Sequence, residues 1–169
     1  MSVERVETAK GDWVAPSAAE RRAILRAARS IAVPGASGNP ARASNFVLAY
    51  LRSSVADYEL YPVNPREQEI LGMKVYPSLR DLPQTPDIVD VFRRNEDLPE
   101  VAREAVEIGA KVLWIQLGLH SDEAVRIAHE AGLKVVTNRC IKIEHARFAG
   151  GLHLAGFDTG VISSRRTRG

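Results

Sequence analysis

The sequence predicts a three-layer, doubly wound α/β fold built on a five-stranded parallel sheet. Short strands alternate with helices along the chain, and the strands as a set are rich in Val and Ile. The strands are apolar on both faces, which is typical of parallel sheets that helices cover on both sides. With right-handed crossovers we expect the strand order 3-2-1-4-5. That order places a ligand site at the carboxyl ends of strands 1 and 4.

Each element has a local signal. Ser17 and Glu20 form a capping-box pattern before the first helix, Ser121 precedes another helix, and Gly109 and Gly132 end two helices. The predicted strands are residues 30–34, 58–63, 87–92, 111–117 and 133–137. The predicted helices are residues 18–29, 44–54, 97–108, 122–131 and 141–148, with a short helical turn through Leu82.

The 169 residues have room for one ordinary domain. We expect a flexible arm at residues 1–16, a domain at residues 17–148 that includes the helix 18–29, and a Gly/Arg-rich tail at residues 149–169. The polar arm and the basic tail are both interpreted as solvated segments.

Composition narrows the classes of partner. The chain has 23 Lys and Arg against 21 Asp and Glu, a net charge of +2, which argues against a dedicated nucleic-acid binder. Apolar runs stay short of the roughly 18 residues that suggest a membrane span. The single Cys140 excludes an internal disulfide and a multi-cysteine metal site, and it fits a reducing compartment. We therefore expect a cytoplasmic protein without a metal.

The loop at residues 35–42 is the richest segment. Gly35 and Gly38 allow close approach of a ligand, Ser37 offers a hydroxyl, and Arg42 offers a charged fork for a phosphate oxygen. Amides at the start of the next helix then point at an anion, although Pro40 contributes no N–H. The alternative is a tight strand-to-helix turn whose glycines only ease packing.

The second predicted strand ends at Asn64, Pro65 and Arg66. NAD-binding folds have an acidic residue at this point, where it holds the ribose 2′-hydroxyl. A basic residue here favours a phosphorylated ribose, either the 3′-phosphate of coenzyme A (CoA) or the 2′-phosphate of NADP. A surface arginine in a polar loop explains the pattern equally well.

The third predicted strand ends in Phe92, Arg93 and Arg94. Phe92 can pack on a base or a pantetheine arm, and the arginines place positive charge at the same rim. Alternatively, Phe92 belongs to the core and the arginines pair with Glu96 or Asp97. Asp90 alternates with its valine neighbours and is expected to point away from the core.

Seven sequence blocks run in order over about residues 30–148. They are GASGNPARAS at residues 35–44, YPVNP at 61–65, ILG at 70–72, YPSL at 76–79, DIVDVFRR at 87–94, GAKVLWIQLG at 109–118 and NRCIKIEH at 138–145. The ordered set resembles the stand-alone CoA-binding protein family, which shares its fold with the CoA-binding domain of the succinyl-CoA synthetase α subunit and of ADP-forming acyl-CoA synthetases. Pro34 departs from the family pattern, in which we expect a glycine.

The resemblance implies a Rossmann-like domain that binds CoA. It implies that residues 37–40 line the CoA phosphates, that Arg66 faces the phosphorylated ribose, and that residues 116–118 form a second contact. The full set of candidate binding residues is Gly35, Ala36, Ser37, Gly38, Asn39, Pro40, Arg42, Asn64, Pro65, Arg66, Phe92, Arg93, Arg94, Gln116, Leu117, Gly118 and Cys140.

Catalysis has weak support in the sequence. The four histidines lack a Ser, Cys or second His at motif spacing, and the phosphohistidine of the synthetases lies in a further domain. Cys140, near Arg139 and Lys142, is either a thiolate able to form a mixed disulfide with CoA or an inert thiol.

We interpret the protein as a CoA or acyl-CoA binder that does not catalyse a reaction by itself. The alternatives are an NADP-binding oxidoreductase-like protein and a CoA-sensing regulatory subunit. A protein partner or a homo-oligomer is compatible with any of these.

Overall fold

The structure is a computed structural model that describes residues 4–54 and 57–149. Its strands are β1 (Arg5–Val6), β2 (Trp13–Val14), β3 (Ser30–Pro34), β4 (Glu59–Val63), β5 (Glu69–Ile70), β6 (Met73–Lys74), β7 (Ile88–Val91), β8 (Val112–Ile115) and β9 (Lys134–Thr137). Its helices are α1 (Ala18–Ala27), α2 (Ala43–Ser53), α3 (Leu98–Glu107), α4 (Asp122–Glu130) and α5 (Ile141–Ala149), with 3₁₀ turns at Leu79–Asp81 and Asn95–Asp97.

Five parallel strands form the central sheet, which confirms the α/β class. Their order is β4-β3-β7-β8-β9, which is 2-1-3-4-5 in the order of the predicted strands. The expected order 3-2-1-4-5 is therefore wrong, because β7 pairs with β3 through Ile31–Ile88 and Ala32–Val89.

The reason lies at the outer edge of β4. Tyr76 occupies that edge, where its amide donates to the Pro62 carbonyl and its own carbonyl accepts from Asn64. Proline lacks the N–H that a further strand would need, so Pro62 marks β4 as an edge strand. Strand β7, the third of the predicted strands, therefore pairs with β3 rather than with β4.

Helices cover both faces of the sheet. Leu98, Val101 and Val125 of α3 and α4 pack on one face, and Leu25 and Leu48 of α1 and α2 pack on the other. The predicted capping box is present at the start of α1, where Ser17 and Glu20 each accept the other's backbone amide. A buried ion pair of 2.6 Å between Arg21 and Glu144 then ties α1 to α5.

Residues 4–16 correct the expectation of a loose arm. Strands β1 and β2 pair as an antiparallel hairpin, with Val6 opposite Trp13. Trp13 is only 4% exposed, and its Nε1 donates to the Val135 carbonyl at 3.2 Å. The Ala9 amide donates to Glu130 at 2.7 Å. Burial of the Val6 and Trp13 side chains, together with these two hydrogen bonds, holds the segment against α4 and β9. Residues 1–3 and the predicted tail beyond Ala149 lie outside the described residues.

Candidate functional site

The carboxyl ends of β3 and β7 define the site's position. From β3 the sheet continues to β4 on one side and to β7 on the other, so the strand order reverses there. Ligands of doubly wound sheets bind at such a switch point. In the observed order it lies between predicted strands 1 and 3, which corrects the expected position at strands 1 and 4.

Gly35 begins the loop after β3 in a conformation that requires glycine. Its φ is +85°, and a Cβ there would lie 2.1 Å from the Phe92 carbonyl oxygen. The Gly35 and Ala36 amides both donate to the Val63 carbonyl, at 3.1 and 3.3 Å. The loop is therefore clamped between the ends of β4 and β7.

The loop's polar groups hold its shape. Ser37 Oγ accepts from the Asn39 amide at 3.0 Å, and Asn39 Oδ1 accepts from the Ala41 amide at 2.9 Å. The Asn45 side chain in α2 donates to the Ser37 carbonyl at 3.0 Å. These bonds lead the chain directly into α2, whose N-terminal amides and dipole favour an anion.

Glu67 occupies the loop's middle. The Gly38 amide donates to its two carboxylate oxygens at 3.1 and 3.0 Å, and a Cβ on Gly38 would lie 2.6 Å from Oε1. The Gly38 amide is therefore already paired with a carboxylate of the chain itself. The sequence reasoning assigned no role to Glu67.

Asn64 joins the end of β4 to this loop. Its Nδ2 donates to the Ala36 carbonyl and its Oδ1 accepts from the Arg66 amide, both at 2.7 Å. Pro65 and Arg66 are exposed just beyond it. The Asn64 side chain therefore fixes the position of the Arg66 backbone relative to the loop after β3.

The arginines of the site differ in their partners. Arg42 precedes α2, and both Arg42 and Arg66 are exposed. Arg93 pairs with Asp97 at 3.2 Å, and Arg94 pairs with Asp97 at 3.4 Å. Arg94 also approaches Glu96 at 3.5 Å. The alternative interpretation of Arg93 and Arg94, pairing with nearby acids, is the arrangement observed.

Phe92 is half-buried. It packs against the same core as α2, and its amide donates to the Pro34 carbonyl at 2.9 Å. Pro34 is the last residue of β3 and is buried, so the missing N–H lies within the sheet rather than in the loop.

The ends of β8 and β9 form the far part of the carboxyl edge. Gln116 is buried, and its Oε1 accepts from the Ile141 amide at 3.0 Å. Leu117 is exposed, and the Gly118 amide donates to Asn138 Oδ1 at 2.9 Å. Cys140 is half-buried against the core, with its thiol free. Gln116 thus orders the start of α5, which leaves Leu117 and Gly118 as the exposed members of this stretch.

A cavity of about 430 Å³ opens beside Gly118, beneath the β1–β2 hairpin. We call it the hairpin pocket. It is lined by Glu4, Arg5, Val6, Trp13, Gly118, Leu119, His120, Asp122, Val125, Thr137 and Asn138. The sequence reasoning missed it because the hairpin was interpreted as a loose arm.

Asp90 lies in β7, between the strands β3 and β8, and is completely buried. Neither of its oxygens has a hydrogen-bond partner within residues 4–54 and 57–149. Burial raises its pKa well above the ordinary carboxyl value. The expectation that Asp90 points away from the core is therefore wrong, because helices cover both faces of the sheet.

Two of the histidines, His145 and His120, have side-chain partners. His145 is buried, its Nδ1 lies 2.8 Å from the Tyr50 hydroxyl, and burial lowers its pKa. His120 is exposed and its Nε2 lies 3.4 Å from Asp122.

In the part of the chain that the structure describes, no three His, Cys, Asp or Glu side chains are grouped to hold a metal. None of the described helices is both long and apolar enough to cross a membrane.

Fold and loop together define a nucleotide-binding class of α/β domain. Residues 29–146 match the profile of a family described as a CoA binding domain. The chain belongs to this CoA binding domain family.

Relatives differ in how much of their length is shared. Uncharacterized protein YneT of Bacillus subtilis is 44% identical over 131 residues, which cover 78% of this chain and 96% of that protein. The alpha subunit of ADP-forming acetate–CoA ligase II from Pyrococcus furiosus is 30% identical over 125 residues. That match covers 68% of this chain but only 27% of the subunit.

Solved structures show the same contrast. A hypothetical protein from Pyrococcus horikoshii OT3 has a TM-score of 0.76 and 41% identity, with 80% of this chain and 94% of that chain covered. The dinucleotide forming acetyl-coenzyme A synthetase 1 of Ca. Korarchaeum cryptofilum has a TM-score of 0.60 and 28% identity. Here 65% of this chain matches 26% of the synthetase.

Proposed function

We propose that this protein binds CoA or an acyl-CoA at the carboxyl edge of its sheet, without catalysing a reaction by itself. The observation that carries the proposal is the Gly35–Arg42 loop, which is held rigid at the switch point and leads into the N-terminus of α2. Membership of the CoA binding domain family supports the same ligand. The one cysteine in the chain supports a reducing location such as the cytoplasm.

In this proposal the diphosphate lies on the loop and on the first amides of α2. Arg42 contributes a charged fork there, since it is exposed immediately before the helix. The Glu67 carboxylate leaves the Gly38 amide when the phosphate arrives. Two anions cannot share one donor without mutual repulsion.

Arg66 is proposed to contact the 3′-phosphate of CoA. It is exposed at the end of β4, beside the loop that holds the diphosphate. This position determines the direction of the ligand along the sheet edge. Its adenosine end lies towards β4, and its pantetheine end lies towards β7, β8 and Cys140.

Calorimetric titration of ligand-free protein with CoA, dephospho-CoA and NADPH tests the proposal. We expect CoA to bind most tightly, and Arg42→Ala to weaken it about tenfold or more through loss of a charged hydrogen bond. Arg66→Ala should weaken CoA equally while leaving dephospho-CoA unaffected, because that ligand lacks the 3′-phosphate.

Arg26→Ala is the matched control. Arg26 is an exposed arginine in the last turn of α1, which leads to the amino end of β3 rather than to its carboxyl end. Its loss should leave all three titrations unchanged. Binding of NADPH with no response to CoA would overturn the proposal, and so would an equal effect of Arg66→Ala on CoA and dephospho-CoA.

A further inference from the structure

The hairpin pocket lies where the ligand's far end must run. This inference rests on the proposed function, which places the phosphorylated ribose beside β4 and the diphosphate at the end of β3. In the order β4-β3-β7-β8-β9 the remaining arm crosses β7 towards β8 and β9. Neighbouring strands are about 4.8 Å apart, so the ends of β8 and β9 lie about 10 and 14 Å from the end of β3.

The pocket begins at that distance. Gly118 and Asn138, which follow β8 and β9, are part of its lining. Gly118 is exposed, and a Cβ built on it meets no atom within 4 Å among the described residues. The entrance from the carboxyl edge is therefore unobstructed at this residue.

The pocket has the size of a small-group site, and its lining combines apolar and polar residues. Its volume of about 430 Å³ is near the lower end of the range of roughly 300–1,000 Å³ for small-molecule sites. The apolar members of its lining are Val6 and Trp13 of the hairpin, Leu119 of the loop and Val125 of α4; Leu119 is half-buried and the other three are buried.

The charged groups of the pocket disfavour an anionic occupant. Glu4 and Asp122 are acidic and Arg5 is basic, so acids are in excess when His120 is neutral. Arg5 lies 3.9 Å from Asp12, and His120 lies 3.4 Å from Asp122. The two basic groups already face carboxylates, which leaves little positive charge for a carboxylate on the ligand.

We propose that the hairpin pocket receives the short, uncharged acyl group of an acyl-CoA, and that the β1–β2 hairpin makes the protein selective for acyl-CoA over free CoA. The pantetheine arm reaches across β7, and the thioester lies near Gly118. The acyl chain is then buried between Trp13, Leu119 and Val125.

Titrations of the full chain with CoA and with acetyl-, butyryl- and succinyl-CoA test this proposal. A buried methylene raises affinity about fourfold, so butyryl-CoA should bind about fifteenfold more tightly than acetyl-CoA. Succinyl-CoA, similar in length but anionic, should bind at least tenfold more weakly than butyryl-CoA.

Leu119→Trp narrows the pocket, and the ratio of butyryl- to acetyl-CoA affinity within that variant should fall below the wild-type ratio. Leu119→Ala enlarges the pocket and should shift the preferred chain to a longer acyl group such as hexanoyl. Val14→Trp is the matched control, because Val14 is an exposed hairpin residue outside the pocket lining. It introduces the same indole side chain outside the pocket and should keep the wild-type ratios.

The outcomes separate the two proposals. Failure of CoA and every acyl-CoA to bind overturns both of them. Binding of CoA with equal affinities across the acyl series overturns the acyl pocket alone. Retention of the fifteenfold ratio in Leu119→Trp, or its equal loss in Val14→Trp, also overturns the acyl pocket.

Discussion

The loop after β3 and the loop after β8 use nearly the same glycine conformation in opposite surroundings. Gly35 has a φ of +85° and Gly118 a φ of +88°. A Cβ on Gly35 would lie 2.1 Å from a backbone oxygen of Phe92, whereas one on Gly118 meets nothing within 4 Å in the described part of the chain. Gly35 is therefore required both for its positive φ and for the close contact with Phe92, whereas Gly118 is required for its positive φ alone.

The difference corresponds to the two ends of the proposed ligand. The loop after β3 is held on three sides by Val63, Phe92 and Asn45, which suits a group of constant shape such as a diphosphate. The loop after β8 borders a cavity, which suits a group that varies between ligands. Rigid and open regions thus lie two strands apart on one edge.

The largest expected effect separates the two glycines directly. Gly35→Ala combines left-handed strain with a backbone clash and should lower the free energy of unfolding by about 2–4 kcal/mol. Gly118→Ala has only the conformational strain and should cost about 1–2 kcal/mol. Urea denaturation of both variants measures the difference, and equal losses would contradict the contrast between the loops.

Asp90, in the strand between the two loops, should make stability depend on pH. Its folded-state pKa is raised by burial, so the folded protein keeps a proton that the unfolded chain releases. Stability relative to Asp90→Asn should therefore fall as pH rises above the ordinary carboxyl pKa, by up to about 1.4 kcal/mol per pH unit, until the folded pKa is reached. Denaturation curves between pH 4 and pH 9 measure it, and parallel profiles for the two proteins would contradict it.

The Glu67 carboxylate should compete with the ligand for the Gly38 amide in the loop after β3. Glu67→Gln removes the negative charge at the Gly38 amide, so CoA should bind about three- to tenfold more tightly. Glu69→Gln, which changes an exposed glutamate of β5, serves as the control and should have little effect. Weaker binding by Glu67→Gln in calorimetry would show that Glu67 supports the loop rather than competing with the ligand.

The smallest expected effect concerns the rim between the two loops. Arg93 is exposed and paired with Asp97, and surface pairs of this kind contribute about 0–1 kcal/mol. Arg93→Ala should change stability by less than about 1 kcal/mol and CoA affinity by less than about threefold. A tenfold loss of CoA affinity would instead support a direct contact between Arg93 and the ligand.

Most of the fold could be predicted because local signals determine its elements. Strand β3 has the predicted bounds, and α1 begins at the predicted capping box. Strand order depends on pairing between distant segments, and Pro62 is a single local signal for it that marks one edge of the sheet. The hairpin was missed because strands of two residues show no periodicity and are held by only two apolar side chains, Val6 and Trp13.

The candidate site was predictable in part for similar reasons. The glycine loop is a continuous segment, so its residues point to a phosphate site without knowledge of the fold. Glu67 lies 29 residues from its partner Gly38, and no local pattern joins them. Asp90 follows the alternation of its strand, but in a sheet covered on both faces either direction leads to burial.

The docking of the hairpin has a consequence for biosynthesis. Trp13 donates to the carbonyl of Val135, a residue 122 positions later in the chain. At a translation rate of about 5–20 residues per second, Trp13 waits roughly 6–24 s for its acceptor to be synthesised. A nascent chain halted before β9 therefore leaves an indole uncovered, which marks it for chaperones while the nucleotide loop has already been made.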